Sequence, residues 1–215
     1  MKKEYIFFDF DGTLVDTSSG IFHSLNYMFE KMNCKILNES EMRKYIGPPL
    51  DWSFMTYNNM SESEAALATK LFRDDYQANG VFMHKIYDSV EEMLKSLKKK
   101  GKVIALATSK PEAHAEKIMK SYNIYEYFDV VSGATFDGSR SCKKDVLQYA
   151  VDKIGLKDLG SCVLVGDTKN DVEGAKEVGM DCIGVLYGFG AKEELEAAGT
   201  VATAATPMDV ADLID

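Results

Sequence analysis

Five short apolar runs alternate with helical stretches along this chain of 215 residues, and this alternation strongly constrains the fold. The runs span residues 5–8, 103–107, 128–131, 162–165 and 182–186. Runs that are apolar on both faces are typical of strands buried inside a parallel sheet. Segments 112–122, 144–154 and 171–178 fit crossover helices, and the stretch 197–205 is a candidate edge strand. The pattern predicts an α/β fold with a doubly wound parallel sheet.

The segment between the first two predicted strands is far longer than a crossover needs. Within it, Ile21, Leu25 and Met28 recur at helical spacing, and a later helical stretch carries Leu67 on its apolar face. A structureless loop of this length is implausible inside a compact domain. We therefore predict a small all-helical domain over residues 16–87, inserted into a core made of residues 1–15 and 88–215.

Bulk composition excludes several classes of protein. The formal net charge of −9 argues against a nucleic-acid partner. Four cysteines without CxxC or metal-type spacing favour reduced cysteines in the core and a cytoplasmic location. No apolar run is long enough to cross a membrane, and Asp9 interrupts the N-terminal one. We therefore expect neither a membrane partner nor a secretory signal.

Two carboxylates, Asp9 and Asp11, follow the first predicted strand and precede Gly12. Like charges about 4 Å apart repel by about 4 kcal/mol at an effective dielectric of about 20. A chain tolerates this repulsion when a cation lies between the carboxylates or when one of them is protonated. The alternative is a solvated turn in which Asp and Gly suit the bend.

Further polar groups lie at the ends of the other predicted strands. They are the triplet Thr108-Ser109-Lys110, the lysine pair Lys143 and Lys144, and Asp167 and Asp171 after the fourth run. Open α/β sheets bind ligands at the carboxyl ends of their strands, where these groups would meet. Each also has a structural alternative: a helix entry before Pro111, a surface lysine, or a first-turn charge on a helix.

These motifs, in this order, resemble those of the haloacid dehalogenase superfamily, specifically its phosphatase branch. The resembling stretches are DFDGT at 9–13, TSK at 108–110, GSRSCK at 138–143 and GDTKND at 166–171. The third resembles the GSRSxK pattern of the phosphoglycolate phosphatase-like subgroup, and residues 187–190 resemble its YGxG loop. The resemblance covers nearly the whole chain and implies a Rossmann-like core with a helical cap inserted after the first motif.

The resemblance implies roles for the motif residues. Asp9 would be the nucleophile that becomes an aspartyl phosphate, and Asp11 the general acid and base. Thr108, with Ser109 beside it, would bind the phosphoryl group. Lys143, favoured over Lys144 by the subgroup pattern, would offset the charge of the transition state.

The same resemblance implies a Mg²⁺ cofactor held by oxygen ligands only. The implied ligands are Asp9, Asp11 through its backbone carbonyl, Asp167, and Asp171. Asp171 would bind directly or through water, or would orient the lysine. In the inserted segment, Arg43 could bind an anionic group of the substrate, or it could be a solvated helix charge.

The sequence therefore predicts a Mg²⁺-dependent phosphatase acting on small phosphorylated metabolites, either phosphoglycolate-like or nucleoside monophosphates. Two alternatives stay open: a sugar-phosphate mutase of the same superfamily, and a binding module that has lost activity. A monomer and a homodimer are both compatible with the sequence.

Overall fold

The computed structural model describes all 215 residues and divides into two compact units. The first unit combines Met1–Val15 with Ile86–Asp215, and the second is Asp16–Lys85. The chain therefore returns to the first unit at Ile86, slightly before the predicted position 88.

The strands are β1 Tyr5–Phe8, β2 Val15–Asp16, β3 Lys85–Ile86, β4 Val103–Pro111, β5 Val130–Ala134, β6 Cys162–Gly166, β7 Asp181–Val185 and β8 Ala202–Ala204. The helices are α1 Ser18–Lys31, α2 Glu39–Met42, α3 Leu50–Asn58, α4 Glu62–Ala78, α5 Val90–Lys99, α6 Glu112–Ser121, α7 Lys143–Ile154, α8 Lys169–Val178, α9 Lys192–Ala198 and α10 Pro207–Leu213. Strands β2 and β3 pair with each other, and the boundaries of the two units fall within them.

The first unit is built on a six-stranded sheet in the order β5-β4-β1-β6-β7-β8. All neighbouring strands of this sheet run parallel. From β1 the chain moves outward through β4 to β5, and it then crosses to the other side of β1 to form β6. This reversal creates a crevice at the carboxyl end of β1, the usual ligand site of such sheets. The predicted α/β fold with a doubly wound parallel sheet is confirmed.

The third predicted strand is displaced along the chain. A strand was expected over residues 128–131, but β5 begins only at Val130. The residues before Val130 make other local structure and contacts. Tyr125–Tyr127 form a turn of 3-10 helix. The Asp129 carboxylate then accepts a hydrogen bond from the backbone N–H of Ile104 at 2.8 Å, so a side chain takes the place of a backbone partner at the start of β4. Strand β8 supplies the edge strand expected within 197–205.

Both faces of the sheet are covered. Phe7, Ala105 and Leu164 point to one face, where they pack with residues of α7, α8 and α9. Their strand neighbours point to the opposite face by the alternation of side chains along a strand. Ile6 and Phe8, on that face, are fully buried. This double burial explains why the strand sequences are apolar throughout.

The second unit is helical apart from its two terminal strand residues. Helix α4 packs against both α1 and α3. Capping boxes at Asn38 and Ser61 fix where α2 and α4 begin. Leu25 and Met28 are buried as the helical spacing predicted, but Leu67 is 52% exposed and does not belong to the apolar face of α4.

The cysteines are all free thiols, but they are not all in the core. Cys162 and Cys182 are buried in strands, as expected. Cys34 is half-buried and Cys142 is exposed, because Cys142 lies in the loop at the start of α7. The expectation of core cysteines is wrong for these two. None of the helices combines the length and the apolar character that a membrane crossing requires.

Candidate active site

The carboxyl ends of three central strands and the start of one helix bring four predicted residues together. Asp9 follows β1, Thr108 lies near the end of β4, and Asp167 follows β6. Lys143 is the first residue of α7. All four side chains are buried, and the backbone N–H of Asp9 donates to Val165 O at 2.9 Å, which ties the end of β1 to β6.

Three carboxylates and one ammonium form the centre of this site. One carboxylate oxygen each from Asp9, Asp167 and Asp171 lie within 4.8 Å of one another. Lys143 Nζ lies 2.6 Å from Asp9 Oδ1 and 2.8 Å from Asp171 Oδ1. It also donates to Ala107 O at 3.0 Å. With every group ionised, the buried cluster has two more negative than positive charges, so it requires a cation or protons.

Burial perturbs the titration of this cluster. It raises the pKa of Asp9 from 3.8 to about 6, against the opposing effect of the Lys143 ammonium. Burial, and then the Asp171 and Asp9 carboxylates, raise the pKa of Asp167 well above its ordinary value. Burial alone would lower the pKa of Lys143, but the two neighbouring carboxylates outweigh it and raise the pKa. The lysine is therefore charged, and its positive charge does not fully offset the effect of burial on the Asp9 and Asp167 carboxylates.

The cluster fits a divalent metal ion. Asp9 Oδ1 and Asp171 Oδ1 are buried and receive no well-aligned hydrogen bond. Oxygen atoms of carboxylates are the ligands that Mg²⁺ prefers. A divalent cation would also balance the two excess negative charges. Both the donor set and the charge thus fit the predicted cofactor.

Asp171 contacts both the start of α8 and Lys143. Its Oδ2 accepts hydrogen bonds from the backbone N–H and the hydroxyl of Thr168, each at 2.9 Å, in a capping box at the start of α8. Its Oδ1 faces Lys143. The helix cap therefore fixes the position of the carboxylate that contacts the lysine.

Asp167 is held by the loop that resembles YGxG. Phe189 N donates to Asp167 Oδ2 at 2.7 Å, and Thr13 Oγ1 lies 3.4 Å from Asp167 Oδ1. A Cβ on Gly188 would lie 2.3 Å from Asp167 Cβ, and one on Gly12 would lie 2.0 Å from Asp167 Oδ2. Gly12 also has φ +81°, which disfavours other residues. These glycines let two loops close over the carboxylate.

Lys143, and not Lys144, reaches the cluster. Lys144 is exposed, and its Nζ lies 3.8 Å from Oε2 of Glu177 in the neighbouring helix α8. Gly174 in α8 makes room for Lys143, since a Cβ there would lie 2.5 Å from Lys143 Cγ. Sequence reasoning missed Gly174, although a glycine inside a predicted helix was a signal for close packing.

The loop before Lys143 is also anchored. Arg140 Nη2 lies 2.7 Å from Glu112 Oε2, and Arg140 Nε donates to Gly133 O at 2.6 Å. The guanidinium stacks 3.8 Å from the centre of the Tyr149 ring. Arg140 was noticed only as part of a motif. Its contacts assign it a structural task, which is to hold the segment that leads into α7.

Asp11 lies next to Lys110, the last residue of the motif Thr108-Ser109-Lys110. Lys110 Nζ is 3.0 Å from Asp11 Oδ1, and the lysine side chain is only 4% exposed. Strand β4 changes register between Thr108 and Pro111, which turns this segment out of the regular ladder. Lys110 N donates to Thr108 Oγ1 at 3.1 Å. Ser109, between them, is half-buried.

Arg43 belongs to the second unit. It is exposed and opens a turn of 3-10 helix, Arg43–Tyr45. Its suggested part in substrate binding stays a prediction.

Comparison with known proteins identifies the family. The haloacid dehalogenase-like hydrolase family model matches residues 6–185. A 5'-nucleotidase of Pseudomonas aeruginosa is 32% identical over 92% of this chain and 89% of its own length. The tyrosine-protein kinase PtkA of Mycobacterium tuberculosis is 32% identical over 97% of this chain and 71% of its own length. The crystal structure of a predicted phosphatase from Clostridium acetobutylicum matches with a TM-score of 0.94 and 37% identity, covering 99% of this chain and 98% of that one.

Phosphoglycolate phosphatases are also among the relatives. The matched segment contains all four motifs, and the structural match extends over both units. The chain therefore belongs to the haloacid dehalogenase-like hydrolase family and is a phosphoric monoester hydrolase.

Proposed function

We propose that this protein is a Mg²⁺-dependent phosphatase that hydrolyses small phosphate monoesters through an aspartyl phosphate on Asp9. The observation that carries the proposal is the buried cluster of Asp9, Asp167 and Asp171 around Lys143, at the carboxyl edge of the sheet. The excess of negative charge suits a divalent cation, and the cation would in turn bind the anionic phosphoryl group.

Two displacements at phosphorus account for the reaction. In the first, an Asp9 carboxylate oxygen forms a bond to phosphorus while the ester P–O bond breaks, and Asp11 donates a proton to the leaving oxygen. In the second, Asp11 takes a proton from a water molecule that attacks the same phosphorus, and the Asp9 carboxylate is released. Asp11 is half-buried and borders the cluster, which suits a group that must reach both the leaving oxygen and water.

The remaining residues stabilise charge. Lys143 offsets charge on the phosphoryl oxygens. The hydroxyl of Thr108 would donate a hydrogen bond to one of these oxygens, and Ser109 lies beside it. Asp9, Asp167 and the backbone carbonyl of Asp11 would hold Mg²⁺, with Asp171 orienting Lys143. When bound, Mg²⁺ supplies positive charge that stabilises the transferring phosphoryl group.

The substrate class is a small phosphorylated metabolite. Relatives named 5'-nucleotidase and phosphoglycolate phosphatase support nucleoside monophosphates and phosphoglycolate-like esters as candidates. Arg43 in the helical unit, which we propose as the cap, would bind an anionic part of the substrate. No observation favours the mutase or the non-catalytic module over the phosphatase.

Phosphate release from a panel of phosphate monoesters, with Mg²⁺ and with EDTA, tests this function. The panel should include 2-phosphoglycolate, nucleoside monophosphates and a hexose phosphate. We expect release that requires Mg²⁺. Migration of phosphate on the hexose without release would identify a mutase, and the absence of turnover on every ester would support the binding module. Full activity in EDTA would contradict the metal site.

Mg²⁺ should also stabilise the folded protein, and more so at higher pH. The pKa of Asp9 is raised on folding, so the metal-free protein loses stability as pH rises from about 3.8 through about 6, where folded Asp9 ionises against burial. Mg²⁺ binds the ionised form. A ligand at about 100 times its Kd adds about 2.7 kcal/mol, a shift of about 5–10 °C in Tm for a chain of this size.

Thermal unfolding with and without Mg²⁺, at about pH 5 and about pH 8, measures this effect. The shift should be larger at the higher pH, and it should shrink in Asp167→Asn. The matched control is Asp212→Asn, which changes an exposed aspartate in α10. Equal shifts at both pH values, or a full shift in Asp167→Asn, would contradict the proposed metal site.

A further inference from the structure

Lys110 is a buried cation that the proposed reaction does not use. Its ammonium lies 3.0 Å from Asp11 Oδ1, and its side chain is 4% exposed. It also lies 5.8 Å from the centre of the Phe10 ring. Burying a lysine costs several kcal/mol, and a buried ion pair often contributes little to stability compared with apolar residues. Stability alone therefore does not explain why a lysine is buried at this position.

The position of Asp11 locates Lys110 within the site. Under the proposed function, Asp11 must come within about 2.6–3.2 Å of the leaving oxygen to give it a proton. Lys110 contacts this same carboxylate. It therefore borders the side of the site where the alcohol leaves, whereas Lys143 lies among the carboxylates that receive the phosphoryl group.

The backbone fixes the lysine in this place. The register shift of β4 between Thr108 and Pro111 takes Lys110 out of the regular ladder. Its backbone N–H donates to the Thr108 hydroxyl, which we propose as a phosphoryl-binding group. The main chain of Lys110 thus lies beside the proposed phosphoryl-binding group. Its side chain lies beside the proposed position of the leaving alcohol.

We propose that Lys110 determines specificity by binding a carboxylate on the leaving alcohol, close to the ester oxygen. Asp11 donates its proton to the ester oxygen, and the Lys110 ammonium contacts Asp11. The ammonium can therefore reach an anionic group that lies one or two bonds from this ester oxygen. In 2-phosphoglycolate the carboxylate is separated from the ester oxygen by a single carbon. In a nucleoside monophosphate a neutral sugar takes this place, and the lysine gains no partner. The inference rests on the proposed function and narrows its substrate class to phosphorylated hydroxy acids.

A pair of esters that differ in one charge tests this role. 2-Phosphoglycolate carries the carboxylate, and 2-hydroxyethyl phosphate carries a neutral hydroxymethyl group instead. The quantity to compare is the ratio of kcat/KM for the two esters, in the wild type and in Lys110→Met, which keeps the bulk without the charge. A hydrogen bond to a charged group contributes about 1.5–3 kcal/mol, so we expect the ratio to fall about 10- to 100-fold in the variant.

Most of this fall should lie in KM for 2-phosphoglycolate. Both esters should also lose some kcat, because Asp11 loses its neighbour, and this common loss cancels in the ratio. Lys110→Arg keeps a cation and should retain part of the selectivity, and it serves as the second variant if Lys110→Met does not fold. Inhibition by glycolate, compared with neutral ethylene glycol, gives an independent reading and should weaken in Lys110→Met.

The outcomes separate this inference from the proposed function. If the wild type hydrolyses neither these esters nor any on the panel, the proposed function fails and the inference falls with it. If the wild type is active but does not prefer 2-phosphoglycolate, or if the ratio is unchanged in a folded variant, the phosphatase stands and the role of Lys110 is overturned. In that case the role of Lys110 would be limited to its ion pair with Asp11.

Discussion

Replacing Asp9 with asparagine should abolish turnover and leave the fold intact. The amide has nearly the same shape as the carboxylate, but it cannot act as the nucleophile toward phosphorus. The change also removes one of three buried carboxylates that have oxygens within 4.8 Å of one another. We therefore expect the metal-free variant to be at least as stable as the wild type. Phosphate release and thermal unfolding, measured on the same preparation, check both parts.

Asp212→Asn is the matched control for this substitution as well, since it makes the same chemical change at an exposed position. It should retain wild-type activity. Substantial turnover by folded Asp9→Asn protein would remove Asp9 from the mechanism. Loss of the fold in Asp9→Asn would instead show that the ion pair with Lys143 is needed for stability.

Asp11→Asn should separate the two halves of the reaction. The amide cannot transfer a proton, and general acid–base catalysis typically contributes about 10²–10⁴-fold. An ester with a good leaving group, such as p-nitrophenyl phosphate, needs little protonation and should still phosphorylate Asp9. An alkyl phosphate should lose the full factor. Attack by water still needs a base, so the phosphoenzyme should accumulate.

Single-turnover experiments with the two esters measure this difference. The losses in the rate of phosphorylation should be much smaller for p-nitrophenyl phosphate than for the alkyl ester. Equal losses on both esters, without any trapped phosphoenzyme, would mean that Asp11 only shapes the site.

Much of the fold could be predicted from the sequence because double burial makes parallel strands apolar throughout. The start of β5 is an exception. Residues 128–129 look like the start of a strand, but the Asp129 side chain takes a ladder hydrogen bond from Ile104 N. The hydrophobic pattern of a sequence does not show where a side chain will replace a backbone carbonyl as the hydrogen-bond acceptor of a strand. Cys142 shows the same limit, since its exposure depends on the path of a loop.

The positions of candidate site residues were predictable where those residues lie at the carboxyl end of a strand. Asp9, Thr108 and Asp167 meet because the ends of parallel strands meet at one edge of the sheet. Gly174 was missed, and Lys110 was included in a motif without a role of its own, for a different reason. The role proposed for Lys110 depends on a register shift in β4, and the close packing at Gly174 depends on the crossing of α7 and α8. Both are tertiary features that spacing along the chain does not encode.

The most direct test of the central proposal is to identify the phosphorylated residue. Asp11→Asn protein should be mixed with p-nitrophenyl phosphate and Mg²⁺, quenched during turnover, and treated with borohydride, which reduces an acyl phosphate of aspartate to homoserine. Mass spectrometry of the digested protein should then find homoserine at position 9, and only when both substrate and Mg²⁺ were present. Continued phosphate release with unmodified Asp9, or modification at another residue, would contradict the proposal.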